Sequence, residues 1–203
     1  MVNSFTTKYD FRNAYTEQQI KNTFLALNSN SEIGSITVRD ICREAGISRS
    51  TFYRHFPDIY AVIEDIEKEI SMEFRASLSQ FKGESFPDFD ESLMKRQLRR
   101  WFHNCRFRRV ELLTLLDSGK YPASYKRIRN MVYDILVETY SGYCIDRERS
   151  VFEYYMNYVA GTIIDLIVIW LRENSMSYDD FLSIYIKVFK TDIDLLLTIA
   201  GEK

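Results

Sequence analysis

Apolar residues recur at helical intervals along almost the whole chain. Ile20, Phe24 and Leu27 predict a first helix over 17–27, with Thr16 as its cap and Gln19 at the capping-box position. The polar stretch 28–35 predicts a loop. A second short helix is expected over VRDICREA after Thr37, with Val38, Ile41 and Ala45 on one face. Gly46 then permits a tight turn, and Ser48 caps a third helix over 49–55. Pro57 and Asp58 open a long fourth helix, 58 to about 81, on the apolar set Ile59, Val62, Ile63, Ile66, Ile70, Phe74, Leu78 and Phe81. After a loop at 83–90, helices are predicted at about 90–104, 108–117, 123–141, 147–172 and 178–200. Gly119 and Pro122 interrupt that series, and Ser177 caps its last member. No alternating run lies between turn signals, so strands are not expected. The pattern predicts an all-α chain of about nine helices in two functional parts, divided inside or just after the long fourth helix.

Composition agrees with that picture. A hydrophobic fraction of 46% is ample for a packed core, and 3 Pro with 7 Gly are few for a β-rich or disordered chain. The net charge of −2 does not advertise a nucleic-acid binder, although an acidic remainder can mask a small binding module. Cys42, Cys105 and Cys144 form no CxxC pair and read as reduced thiols. The N-terminus lacks the layout of a signal peptide. The most apolar run, 158–171, contains Asp165 and is too short to span a membrane, so a cytoplasmic protein with no membrane partner is expected. GxGxxG, GxxxxGK[ST], GxSxG and HExxH are all absent, and the two histidines, His55 and His103, have no metal-ligand spacing. No cofactor, metal or catalytic constellation is expected.

Chemistry concentrates in GISRSTFYRHF, residues 46–56. Two short helices joined by Ala45-Gly46-Ile47 and backed by an earlier helix make a helix-turn-helix. Ala45 allows close approach, while Ile41, Ile47 and Phe52 are expected to fill a small core against Phe24 and Leu27. Arg49, Ser50, Thr51, Tyr53, Arg54 and His55 then surround the outside of the second short helix. Such a helix enters the major groove, where arginine pairs with guanine and hydroxyls bond to bases or phosphate. Thr37, Val38 and Ser48 join the candidate DNA-binding set, with Thr37 beside free helix N–H groups that suit a phosphate. The competing reading is a helical hairpin whose polar residues face water. Residues 1–60 carry seven Lys/Arg against six Asp/Glu, so charge does not decide between them.

The stretch 36–66 resembles the N-terminal DNA-binding domain of the TetR family of transcriptional regulators. The resemblance rests on Thr37, Ile41, Ala45, Gly46, Ile47, Ser48, Thr51, Phe52, Tyr53, His55 and Phe56, with Phe24 in the first helix. It implies a helix-turn-helix domain over 1–60 and a helical dimerisation and ligand-binding domain over 61–203. It further implies a homodimer on a pseudo-palindromic double-stranded DNA operator, most often a repressor, modulated by a small molecule or a partner. LLTLLDSG and GTIIDLIVIWL resemble effector domains of some TetR-like regulators of Gram-positive bacteria. One position departs from the pattern: the family usually carries a Lys after Phe56-Pro57, and here stand Asp58, Ile59 and Tyr60. The loss of that phosphate contact favours, as the alternative, an interaction protein or co-activator with weak DNA binding.

In the second part, a dimer face is expected on the last two helices. Its candidate residues are Phe152, Tyr155, Val159, Gly161, Ile163, Leu166 and Trp170, then Phe181, Ile184, Tyr185, Val188, Ile193 and Leu196. Candidate ligand walls are Trp101, His103, Phe107, Tyr125, Tyr133, Tyr140, Tyr154 and Tyr158, aromatic or polar-tipped residues that can equally be core. The run KRQLRRWFHNCRFRR, 95–109, holds seven Lys/Arg and no acid. It reads as a solvated face, as a partner of the acidic helix carrying Glu64, Asp65, Glu67, Glu69 and Glu73, or as an attractor of an anionic effector or partner.

Overall fold

The computed structural model describes residues 8–29, 36–78, 91–140, 149–173 and 175–201. Its described elements are all helices: α1 (Lys8–Ser29), α2 (Val38–Ala45), α3 (Arg49–His55), α4 (Ile59–Leu78), α5 (Glu91–Phe107), α6 (Arg109–Leu115), α7 (Pro122–Tyr140), α8 (Arg149–Glu173) and α9 (Tyr178–Gly201). The chain forms two compact units, Met1–Glu69 and Ile70–Lys203, and the division falls inside α4. Cys144, Phe81, the loop at 83–90, and the side chains of Leu78, Tyr140, Ile193 and Leu196 lie outside the described residues.

In the first unit α2 packs against α1 and α3, and α3 also meets α1. Its core is Ile20, Phe24 and Leu25 of α1, Ile41, Cys42 and Ala45 of α2, and Phe52 and Phe56 around α3, with Val62, Ile63 and Ile66 of α4. Three local expectations for α1 fail. The helix begins at Lys8, so Thr16 lies mid-helix and donates its hydroxyl to the Arg12 carbonyl instead of capping. Leu25 takes the buried position expected of Leu27, which is half-buried, as is Ile47. Gln19 does not close a capping box. Its Nε2 donates to the Ala45 carbonyl at 2.7 Å, satisfying an orphan carbonyl at the end of α2.

A charged tether completes this unit. Lys21 is buried on α1, and its Nζ reaches Asp65 Oδ2 at 2.9 Å and Glu69 Oε1 at 2.5 Å on α4. Burial by itself lowers the ammonium pKa, but the hydrogen bonds from Glu69 and Asp65 outweigh it and hold the pKa above the usual lysine value.

The second unit is organised by aromatic packing. α7 packs along α8, α6 against α8, and α9 against both α5 and α8. Trp170 of α8 stacks on Phe181 of α9 with centroids 4.4 Å apart, and Phe102 of α5 meets Phe181 and Tyr185 edge-on at 5.0 and 4.8 Å. Trp101 and Phe74 extend the cluster. Pro122 is the first residue of α7, where its missing N–H costs nothing. Ser177 caps α9 by accepting from the Asp180 amide at 3.2 Å.

The basic run resolves into separate jobs. Arg108 pairs with Glu73 of α4 and with Glu111, so one cation does meet the acidic helix. Arg109 Nε donates to the Leu171 carbonyl at 2.7 Å, near the end of α8, and Arg106 lies over the Trp170 ring. Cys42 and Cys105 are free and buried, and burial pushes both thiols up in pKa. One described helix, Ser150–Glu173, is long and apolar enough to cross a membrane by length and composition. Its inner row, Phe152, Met156, Val159, Ile163, Ile167 and Trp170, is buried within the unit, which is the packing of a core helix.

Candidate nucleic-acid interface

Three local devices shape the helix-turn-helix. Thr37 and Asp40 close a capping box at the start of α2: the Asp40 amide donates to Thr37 Oγ1, and Asp40 Oδ2 accepts from Thr37 N at 3.1 Å and from Thr37 Oγ1 at 2.5 Å. Those two Thr37 donors hold the Asp40 carboxyl below the usual aspartate pKa. Gly46 ends α2 at φ 64°, ψ 31°, in the left-handed region, with its N–H and that of Ile47 on the Cys42 carbonyl. Ser48 then caps α3, accepting from the Thr51 amide at 3.0 Å.

The outcome is a short helix with an inner and an outer side. Phe52 is fully buried, its ring 6.2 Å from that of Phe56. Arg49, Ser50, Tyr53 and Arg54 are exposed, and Thr51 is half-buried. Ser48 Oγ hydrogen-bonds with the Ser50 and Thr51 hydroxyls at 2.8 and 2.9 Å, so the three form one cluster at the head of α3. The Tyr53 ring stands edge-on to Phe52, with centroids 5.6 Å apart, and remains solvent-accessible.

Two of the expected DNA-facing residues are otherwise engaged. The His55 side chain is only 5% exposed, and its Nδ1 lies 3.1 Å from Glu17 Oε1 on α1. His55 therefore belongs to the contact of α3 with α1 and not to the outer face. Its Nε2 is buried without a partner among the described residues. Thr37 gives its hydroxyl and amide to Asp40, which leaves the first-turn amides at Val38 and Arg39 as the donors without an intrahelical acceptor. At the head of α4, Asp58 Oδ1 accepts from the Ala61 amide at 2.9 Å, so the position next to the absent lysine carries a capping carboxylate. Gln19 fastens α1 to the turn; its polar character at a core-facing helical position is the only sequence signal.

The other expected sites do not assemble as expected. Trp101 is buried in the aromatic cluster and is core. Phe107, Tyr154 and Tyr158 are exposed, while Tyr125 and Tyr133 are half-buried. His103 is exposed and lines a surface hollow of about 510 Å³ to which none of the other expected ligand residues contributes. Of the expected dimer residues, Phe152, Val159, Ile163 and Trp170 are buried within the chain, as are Phe181 and Tyr185. Gly161 is covered by the Arg129 guanidinium of α7, which donates to the Asn157 side chain at 3.0 Å and carbonyl at 2.9 Å. Tyr155, Leu166 and Val188 are half-buried and Ile184 is exposed. The exposed apolar row of α8 is instead Val151, Tyr154, Tyr158 and Ile169, on the side opposite the core row. Among the described residues no group of His, Cys, Asp and Glu could hold a metal ion.

Comparison with known proteins follows this geometry. Residues 33–66 match the family model for bacterial regulatory proteins of the tetR family. The chain is 22% identical over 170 residues to the uncharacterized HTH-type transcriptional regulator YxbF of Bacillus subtilis (strain 168). That match covers 82% of this chain but 42% of the relative, so the chain spans about two fifths of that protein's length. Among solved structures, a TetR transcriptional regulator from Streptococcus agalactiae 2603V superposes with a TM-score of 0.60 at 20% identity, covering 89% of this chain and 96% of that one. A gamma-butyrolactone receptor (ArpA-like protein) superposes at 0.52 and 17% identity over 91% of this chain and 98% of that one. The dihydroxyacetone kinase operon activator DhaS does so at 0.50 and 16% identity, over 91% and 96%. At these identities the likenesses speak to fold, and the matched segment is the helix-turn-helix described above. The chain thus carries a segment that matches the tetR family model, that segment is its helix-turn-helix, and its all-helical fold resembles those of the solved regulators.

Proposed function

We propose that the chain binds a pseudo-palindromic operator as a homodimer, with α3 of each copy in a major groove, and represses transcription until a small molecule or partner releases it. The observation that carries this reading is the two-sided build of α3: Phe52 is fully buried, while Arg49, Ser50, Tyr53 and Arg54 stand clear of the protein. Arg49 and Thr51 are assigned to base edges, and Tyr53 and the first-turn amides of α2 to phosphate. The homodimer reading is supported by the exposed row Val151, Tyr154, Tyr158 and Ile169 on α8, with Ile184 on α9, which a second copy would cover. The effector reading is supported by the indole Nε1 groups of Trp101 and Trp170, buried without an acceptor among the described residues beside the aromatic cluster.

A gel-shift titration against the DNA upstream of its own gene tests the proposal. Arg49→Ala and Thr51→Ala are expected to reduce discrimination between operator and random DNA, and Tyr53→Phe to weaken both alike. Unchanged selectivity in the first two variants overturns the readout assignment. The second reading, a co-activator or interaction protein with weak DNA binding, is favoured by the Asp58 carboxylate at the head of α4. Its signature is an intact dimer that shifts no DNA even at low salt. An in vitro transcription assay on the bound promoter distinguishes repression from activation.

A further inference from the structure

The outer face of α5 carries charge that neither the fold nor operator binding uses. Arg96, Arg99, Arg100 and His103 stand at i, i+3, i+4 and i+7 and form a row about 10 Å long on the helix, and all four are exposed. The inner face is fixed by buried Leu98, Trp101, Phe102 and Cys105, which determines which way the row points. Across from it, Tyr178 and Asp179 at the head of α9 complete the lining of the 510 Å³ hollow. The Tyr178 hydroxyl donates to the Arg99 carbonyl at 2.5 Å and ties the two walls together. Desolvation by that packing pushes its pKa up to about 12, so it remains a neutral donor at ordinary pH.

The lining is strongly unbalanced in charge. Three guanidiniums face one carboxylate, and the single contact between them, Arg99 to Asp179 at 3.2 Å, is exposed on both sides. A pair of that kind is screened by water and readily exchanged for a better acceptor. Among the described residues Arg96 and Arg100 have no ion-pair partner, whereas Arg106, Arg108 and Arg109 of the same run are each engaged. Like charges at these spacings weaken a helix, so the row is a local burden that an anion would relieve.

We propose that this hollow binds a small polyanion carrying two or more phosphate groups. The guanidinium fork matches phosphate oxygens in pairs, and one phosphate cannot satisfy a row of three. The volume lies in the range of small-molecule sites. Asp179 and Asp180, both exposed at the head of α9, repel an extended acidic surface and disfavour an acidic protein as the occupant. The site belongs wholly to the second unit and stands whether or not α3 reads an operator.

Calorimetric titration of the full chain with inorganic tripolyphosphate, at constant ionic strength set with sodium chloride, tests the site. Saturable binding of one anion per chain is expected. Arg96→Ala and Arg100→Ala should each weaken it at least tenfold, and Arg96→Lys should recover only part of the loss, because it restores charge without the fork. Both side chains are exposed, so the melting temperature without ligand should not fall. Polyanions also suit a DNA-binding face, and Arg49→Ala/Arg54→Ala identifies that source: the double variant should titrate like the wild type. Unsaturable heats, wild-type affinity in the α5 variants, or loss of binding in the α3 variant each overturn the assignment. So does binding of polyglutamate, abolished by Arg96→Ala, in the absence of tripolyphosphate binding, because it assigns the row to an acidic partner.

Discussion

The two units are built by different logics. In Met1–Glu69 the two helices that flank the turn, α2 and α3, have only 8 and 7 residues, and single residues with local jobs set their limits: Thr37 and Asp40 start α2, Gly46 ends it, and Ser48 starts α3. In Ile70–Lys203 the helices run to 25 residues, and what matters is which side of each is covered. A cap or a positive-φ turn is encoded within four residues. The face that a long amphipathic helix buries is chosen by its neighbours, and α8 carries large apolar residues on both sides. The difference between the units is one between local and tertiary specification.

Phe52→Ala is expected to have the largest effect. The ring is fully buried and is the main anchor of a seven-residue helix that cannot stand alone. Truncation should destabilise by about 3–5 kcal/mol, read by chemical denaturation, and operator binding should disappear. Size-exclusion chromatography sharpens the comparison: if the chain dimerises as proposed, a second unit that folds by its own aromatic cluster keeps the dimer in this variant. Loss of the dimer together with DNA binding would show that the units are not independent.

Lys21→Ala comes next. It strands Asp65 and Glu69, but both carboxylates remain more than a third exposed, so the expected loss is about 1–3 kcal/mol, below that of a fully buried pair. The pH dependence has a definite sign. A lysine whose folded pKa lies above its unfolded value stabilises fully below the ordinary lysine pKa of 10.5, and the contribution is lost as pH rises through the folded value. Alkaline denaturation of the wild type should therefore steepen above pH 10.5, and the variant should lose that component.

What the sequence made legible follows the same division. The bounds of α2 and α3, their caps and the positive φ of Gly46 match expectation because each is a local consequence of Thr37, Ser48 or Gly46. The start of α1 is not legible because Thr16, a good cap by type, lies inside a longer helix whose early turns carry exposed Phe11 and Tyr15 and so no buried period. The sequence points His55 outward because a polar ring beside Arg54 resembles its neighbours. Only the approach of Glu17, 38 residues earlier, shows that it faces inward. On α8 the sequence marks the row Phe152, Val159, Ile163 and Trp170 as apolar, and the structure buries it within the chain. Periodicity finds a stripe and cannot say whether α7 and α9 or a second copy covers it. Trp101 taught the same lesson as a supposed ligand wall.

Gly46→Ala measures the local logic by itself. No heavy atom lies within 4 Å of the added Cβ, so any loss comes from the left-handed backbone and not from a clash. About 1–2 kcal/mol is expected, with Gly46→Asn milder because asparagine tolerates that region. Equal losses for the two substitutions would point to packing and would contradict the open space around the turn.

The smallest expected effect on stability is also the one that tests the faces of α8. Tyr154 and Tyr158 are 79% and 58% exposed, so Tyr154→Ser with Tyr158→Ser should leave the denaturation midpoint of the isolated protomer within about 0.5 kcal/mol of the wild type. If a second copy covers that row, sedimentation should nevertheless show a large shift from dimer toward monomer. Val159→Ala, on the buried row, should do the opposite: destabilise the protomer by about 1–3 kcal/mol as a core truncation, with the dimer constant of the folded fraction unchanged. A dimer that survives the serine pair but weakens with Val159→Ala would return the interface to the row first read from the sequence, and would require the packing of α8 against α7 and α9 to open in solution.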